Sequence, residues 1–320
     1  YKGIKGFQVQ TRTEDPVPYA QALADNPYAG SWAAGGSLNT ARNNLSGFGT
    51  QTSSLAVGGN SGPTYYANAE SYNGTAFTEV ADLNQARRNT GSAGADNTAG
   101  ITFGGIHPSL PSPSALNESW NGSAWTEVGD LTTARQLITG TGTQTAALGI
   151  AGGPNPGVNN VESWDGSSWT EIAEVNTARN AGAASGLQPA ALFFGGYTTT
   201  DVANTEVWNG SSWTEVSDLN TARGYLGGSD NTSTSALAFG GTIPPGRTAN
   251  TESWDGSSWT EVNNLATARN SVGGTGANST SALAFGGYNG STGVSNTEEW
   301  SFTGLDPSST PAEGYANAIT

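Results

Sequence analysis

The chain has 320 residues with 11 Lys+Arg against 26 Asp+Glu, a formal net charge of −15, and a surface of that sign repels nucleic acid and anionic membrane. Cysteine is absent and His107 is the single histidine, which excludes disulfide staples, thiolate catalysis and a multi-histidine metal centre; no cofactor and no metal are expected. No apolar run has the length of a membrane-spanning helix, so no membrane insertion is expected, and 46 glycines recurring at fixed places favour turn-rich β structure.

Residues 1–30 hold Lys2, Lys5 and Arg12, with Ile4, Phe7 and Val9 as candidate strand positions. Asp15-Pro16 and Pro18-Tyr19-Ala20 are echoed by Asp306-Pro307, Pro311 and Tyr315-Ala316 near the other end. Both 1–30 and 304–320 are read as linkers or docking arms to a larger assembly. With Tyr1 first and methionine absent, the expectation is a processed product or part of a longer polypeptide.

From residue 31 onward the chain repeats itself. Each unit opens on a Thr-Ala-Arg-like string ending at Arg42, Arg87, Arg135, Arg179, Arg223 or Arg269. A small-residue stretch follows, then an apolar run closed by a glycine pair, as in Ala236-Leu237-Ala238-Phe239-Gly240-Gly241. After a variable loop come a strand ending in an aromatic residue, an Asn-Gly or Asp-Gly turn, and a Trp-Thr-Glu-Val-like strand. The turn motif reads Tyr72-Asn73-Gly74-Thr75-Ala76-Phe77, Trp120-Asn121-Gly122-Ser123-Ala124-Trp125 and Trp164-Asp165-Gly166-Ser167-Ser168-Trp169, and it returns between Trp208 and Trp213 and between Trp254 and Trp259. Four short strands per unit at a period of 40–50 residues is the content of one propeller blade.

The Asn-Gly turn is expected to be a two-residue type I′ hairpin, which places Trp120 opposite Ser123 and Glu118 opposite Trp125. Both tryptophans then project from one side of the blade and stack against its neighbour. The arginine-to-arginine intervals are 45, 48, 44, 44 and 46, and the segments from glycine pair to recurring glutamate hold 10, 12, 8, 9 and 10 residues. Subtraction leaves 35 or 36 each time, so one loop per blade absorbs the variation. Trp32 matches the second tryptophan of the motif and Trp300 the first. The strand around Trp32 is therefore expected to complete the last blade, whose other strands come from 270–302. The fold expected is all-β: a six-bladed propeller of four-stranded antiparallel blades over 31–303, its N-terminal strand closing the last blade.

The glycine pair after an apolar strand, the aromatic strand, the Trp strand and the arginine together resemble the kelch repeat, six times over about residues 31–303. The unit departs from that pattern in its Trp-to-Trp spacing of five, which shortens the outer hairpin. The wording Gly-Ser-Ser-Trp-Thr-Glu-Val and Leu-Asn-Thr-Ala-Arg, with Gly-Thr-Gln-Thr-Ala-Ala-Leu, is similar to kelch-like proteins of marine bacteriophages, which implies a virion or tail-fibre structural protein. Copper radical oxidases also use a kelch propeller, but their cysteine-modified tyrosine and histidine ligands have no counterpart here.

The six arginines could bind anionic sugars as a ring. Repetition in every blade instead points to structural pairs with Glu70, Glu118, Glu162, Glu206, Glu252 and Glu298. Glu79, Glu127, Glu171, Glu215 and Glu261 share one repeat position, and the inner stretches 43–49, 137–142 and 271–276 hold no charge. Arg88, Asp96 and Asp230 are the exceptions near those stretches, so a glycosidase acid pair has little to draw on. His107, in Ile106-His107-Pro108, is read as a solvent-exposed loop histidine. Turn chemistry accounts for the sequons at Asn73, Asn121 and Asn209, and the loops lack EF-hand calcium spacing.

The variable loops are where function is expected, with Tyr65, Tyr66, His107, Tyr197, Arg247 and Tyr288 as candidate binding residues. The structural repeat residues are the six arginines with Trp32, Trp120, Trp125, Trp164, Trp169, Trp208, Trp213, Trp254, Trp259 and Trp300. The function expected is non-enzymatic: a structural or adhesion module, virion-borne or extracellular, a homo-oligomer within a larger assembly. Its partners would be other virion or fibre proteins or a host-surface glycan, with no nucleic acid. The alternative is a glycan-processing, sialidase- or glycosidase-like propeller.

Overall fold

The computed structural model describes residues 30–109, 113–154, 157–229 and 231–302. The arms read at 1–30 and 304–320 lie outside the described residues, Gly30 excepted, and so does Asp230. Among the described residues there is no helix, and six four-stranded antiparallel sheets form the blades of a propeller. Blades 1 to 6 are numbered here by their inner strands, Ser46–Thr50, Gly91–Asp96, Thr139–Thr143, Ala183–Leu187, Gly227–Gly228 and Gly273–Asn278. Blade 3 shows the pattern: the inner strand is followed outward by Ala146–Ile150, Val161–Trp164 and Trp169–Ile172. In blade 6 the outermost strand is Ser31–Ala34, paired antiparallel to Thr297–Ser301 with Trp32 opposite Trp300. The N-terminal strand thus closes the ring, as the two unmatched tryptophans require.

The outer hairpin corrects one expectation. Trp120 pairs with Trp125 and Glu118 with Glu127, so the connection is a four-residue loop and not a two-residue type I′ turn. Asn121 Oδ1 accepts hydrogen bonds from the backbone N–H of Ser123 (3.0 Å) and Ala124 (2.9 Å), and Gly122 takes φ +89°. The side chain caps the loop from within, so a tight turn is not needed. The indoles still share a face, their ring centroids 5.3 Å apart.

That indole pair packs on the preceding blade: Trp120 and Trp125 of blade 2 share a buried cluster with Phe48, Leu55 and Val57 of blade 1. The same arrangement recurs at blades 3 and 4, where Trp208 and Trp213 meet Leu148, Ile150 and Val161. Nearer the axis the blades approach backbone to backbone. A Cβ on Gly140 would stand 2.3 Å from the Ser92 carbonyl oxygen of the neighbouring inner strand, which explains the small residues there. The glycine pairs join blades too. Gly59, Gly105, Gly152, Gly196, Gly241 and Gly287 each donate an N–H to the carbonyl of an arginine that leads into the next blade, at 2.8–3.1 Å. A Cβ on Gly58 would lie 2.5 Å from the Arg87 oxygen, so in blade 1 the first glycine clears the approach that the second bonds; in blade 3 the bonding Gly152 is the first of its pair and follows Ala151.

Antiparallel alternation sorts the connections into two faces. The variable loops between second and third strands share one face with the segments entering each inner strand. The first-to-second turns and the Asn-Gly loops occupy the other.

Candidate binding face

The six arginines leading into the blades are withdrawn from solvent. Arg87 is 0% exposed; its Nη2 lies 2.9 Å from Glu118 Oε1 and its Nη1 donates to the Leu116 carbonyl at 2.7 Å. Burial pulls its pKa down, opposed by the Glu118 charge beside it. The pairs Arg42–Glu70, Arg135–Glu162, Arg179–Glu206, Arg223–Glu252 and Arg269–Glu298 repeat the arrangement. Each glutamate also accepts from the segment leaving the previous blade, as Glu118 Oε2 does from Asn84 N (2.7 Å) and Nδ2 (2.8 Å). These arginines fasten blades together and leave no guanidinium free for a ligand.

Two residues beyond each arginine the chain enters the left-handed region. Asn44, Asn89, Leu137, Ala181, Tyr225 and Ser271 have φ between 50° and 58°. Each N–H donates to the carbonyl of the equivalent residue in the preceding blade, from Asn44 to Ser271 (3.1 Å) round to Ser271 to Tyr225 (2.8 Å), so six peptide groups close a ring about the axis. The conformation is unfavourable for residues with a Cβ, and the closed ring over-determines it. The ring frames a cavity of about 90 Å³, and a second of about 110 Å³ lies deeper among the inner strands. Both are smaller than the ~300–1,000 Å³ of ordinary ligand pockets. At the opposite end, Asn231 Nδ2 reaches the carbonyls of Gly49 (3.4 Å) and Gly276 (3.3 Å), spanning blades 1 and 6 from blade 5. Asp96 lies at that end, its carboxylate accepting from Thr98 N at 2.7 Å.

Outside the peptide ring, among the described residues of this face, ring contacts join side chains from different blades at three seams. Arg88 lies over the Tyr65 ring, 4.7 Å from its centroid, joining blades 1 and 2. Arg247 lies over Tyr288 at 4.5 Å, joining blades 5 and 6. Tyr197 faces Tyr225 with centroids 6.5 Å apart, joining blades 4 and 5. Asp201, from the same loop as Tyr197, has its carboxyl pushed up by burial, against a hydrogen bond from the Gly224 backbone. Burial, with Tyr197 and Asp201 close by, likewise raises the Tyr225 phenol.

Of the loop residues singled out from the sequence, Tyr65, Tyr197, Arg247 and Tyr288 stand at these seams, half-buried. Tyr66 anchors its loop through the backbone, its N–H donating to Gly59 at 2.9 Å and its carbonyl accepting from Arg87 at 3.2 Å. His107 is half-exposed and its Nδ1 accepts from Ser109 N at 3.0 Å. Its position in blade 2 belongs to none of the three seams. The sequence reading did not choose Arg88, Asp201 or Tyr225. Aligning the six units on their arginines would have exposed two of them. The next two positions read Asn-Asn, Arg-Asn, Gln-Leu, Asn-Ala, Gly-Tyr and Asn-Ser, the least uniform pair beside an invariant residue.

No protein-family model matches the chain, and a search of curated proteins returns no match. The class defined by the fold is that of six-bladed β-propellers.

Proposed function

We propose that this propeller is a non-enzymatic structural and adhesion module of a virion or fibre, which binds a partner through the loop face. The kelch-like repeat wording and its similarity to phage structural proteins support the setting. One observation carries the reading: the repeated chemistry is consumed inside the scaffold, while the side chains that differ from blade to blade gather at seams on one face. Side chains held between blades by stacking and backbone contacts present a stiff surface, and binding to such a surface loses little conformational entropy.

The test replaces the loops at 60–68 and 106–116 by the shortest loop of the molecule and compares attachment of the parent particle, or retention on a glycan and protein array. Attachment should fall while the melting temperature stays within a few degrees. Attachment unchanged after loss of both loops and of the Tyr197–Asp201 segment would overturn the reading. Turnover of a glycoside, abolished by Asp201→Asn, would replace it with the enzyme alternative.

A further inference from the structure

Among the described residues, Arg88 and Arg247 are the two basic side chains outside the six buried ion pairs. Neither has a carboxylate of a described residue within ion-pair distance, although the chain carries a net charge of −15. Both occupy the loop face, and both lie over the ring of a tyrosine of an adjacent blade. The Nε of each is buried with no acceptor.

The Arg247 position is built rather than incidental. Its backbone is fixed by the two-residue strand pair Thr242–Ile243 and Gly246–Arg247. The Tyr288 hydroxyl donates to the Gly290 carbonyl at 3.1 Å, which pins the ring beneath the guanidinium. A Cβ at Gly290 would fall 3.1 Å from Arg247 Nη1, so glycine there lets the backbone lie alongside. Asn289 Oδ1 caps this loop through Ser291 N (3.0 Å) and Thr292 N (3.1 Å). A planar guanidinium held in place with its outer N–H groups unused matches a carboxylate or sulfate, which it grips through two parallel hydrogen bonds.

The remainder of the face narrows the class of ligand. Among the described residues the one exposed large hydrophobic side chain is Leu187, 40% exposed, at the end of an inner strand on the opposite face. A stable protein interface has an apolar core, and among its described residues the loop face shows no exposed large hydrophobic side chain to build one. Tyrosines with polar tips and an unpaired guanidinium suit a hydroxylated ring bearing one acidic group. The chain's overall negative charge disfavours a densely charged polyanion.

We infer that the loop face binds a saccharide whose units carry an isolated carboxylate or sulfate, and that Arg247 over Tyr288 is the principal anion subsite, with Arg88 over Tyr65 a second. This rests on the adhesion reading above and specifies its ligand. The two subsites belong to different pairs of blades, so a chain of several units can engage both, while a single unit engages one. Avidity then separates oligomer from monomer.

The experiment titrates the full chain by calorimetry with a uronate oligomer, a lightly sulfated oligosaccharide and a neutral oligosaccharide of the same linkage. It compares the parent with Arg247→Gln, Arg247→Lys and Arg88→Gln after confirming equal melting temperatures. At least one acidic oligomer should bind, with affinity reduced tenfold or more by Arg247→Gln, reduced less by Arg247→Lys, and falling as salt rises. The carboxylated and sulfated arms identify the acid. Equal binding of acidic and neutral oligomers, or acidic binding that Arg247→Gln and Arg88→Gln both leave unchanged, would overturn the inference. If the loops still capture a neutral glycan or a protein, adhesion survives and only the acidic ligand falls; if loop replacement leaves attachment intact, both fail.

Discussion

Glu118 accepts three hydrogen bonds, from Arg87 Nη2 and from the backbone and side chain of Asn84, and both Arg87 and Glu118 are at most 1% exposed. Removing one charge of such a pair strands the other in a medium of low polarity. Glu118→Gln should therefore cost about 3–5 kcal/mol, seen as a lower urea midpoint at unchanged m-value. A second residue-scale case is Phe77. Trp259 Nε1 donates to Thr205 Oγ1 at 3.1 Å and Trp32 Nε1 to Thr251 Oγ1 at 3.0 Å. Phe77 fills the equivalent place in blade 1 without a donor, and the equivalent Thr297 Oγ1 is buried with no partner. Phe77→Trp should supply that hydrogen bond and stabilise by about 1 kcal/mol in the same assay. Tyr72 introduces a pH dependence. Burial, and then its hydrogen bond to Glu299, raises the phenol from 10 to about 12. The folded state holds this proton more tightly than the unfolded chain, so the contribution is complete below pH 10 and is lost as pH rises toward about 12. Tyr72→Phe should flatten the alkaline limb of stability across that window, measured by denaturation at fixed pH values.

At the scale of the element, the joint between blades is the unit that repeats. Asn39, Asn84, Asn176 and Asn220 each use Nδ2 to hold the glutamate of the next blade and the carbonyl of its second aromatic residue. Blade 6 lacks this arm: Ala266 contributes its N–H to Glu298, at 2.7 Å. Ala266→Asn should complete the joint and raise stability by about 0.5–1 kcal/mol, read as a higher denaturation midpoint. The outer hairpin shows why a motif was misread. Asn-Gly followed by a strand suggests a two-residue turn. Here the capping bonds of Asn121 to Ser123 and Ala124 stabilise a longer loop, and direct opposition of Trp120 and Trp125 buries both rings in one cluster. Local turn chemistry gave way to cross-strand packing.

For the whole molecule the decisive event is closure. Trp32 sits 5.4 Å from Trp300 and 5.0 Å from Phe239, so the N-terminal strand covers both the edge of blade 6 and the side of blade 5. Deleting residues 1–36 should lower stability by at least about 3 kcal/mol, the low end for losing a large core aromatic, and should broaden the thermal transition as the exposed edge frays. A melting curve unchanged in midpoint and width would contradict this. The peptide ring through Asn44 and its five equivalents adds a closure that depends on all six blades at once, which ties local opening at the axis to global unfolding.

The periodic arginines, glycine pairs and tryptophans were enough to state the architecture, the blade count and the closing strand. Each is a nearest-neighbour requirement renewed every 44–48 residues, so sequence distance translates directly into spatial order. The loop face was legible only as a set of unequal segments. That Tyr65 would meet Arg88, Tyr197 meet Tyr225, and Arg247 rest on Tyr288 was decided by the tertiary structure. Those partners lie 23, 28 and 41 residues apart, in adjacent blades, with no repeated spacing to announce them. Only the angular packing of one blade on the next brings each pair into contact.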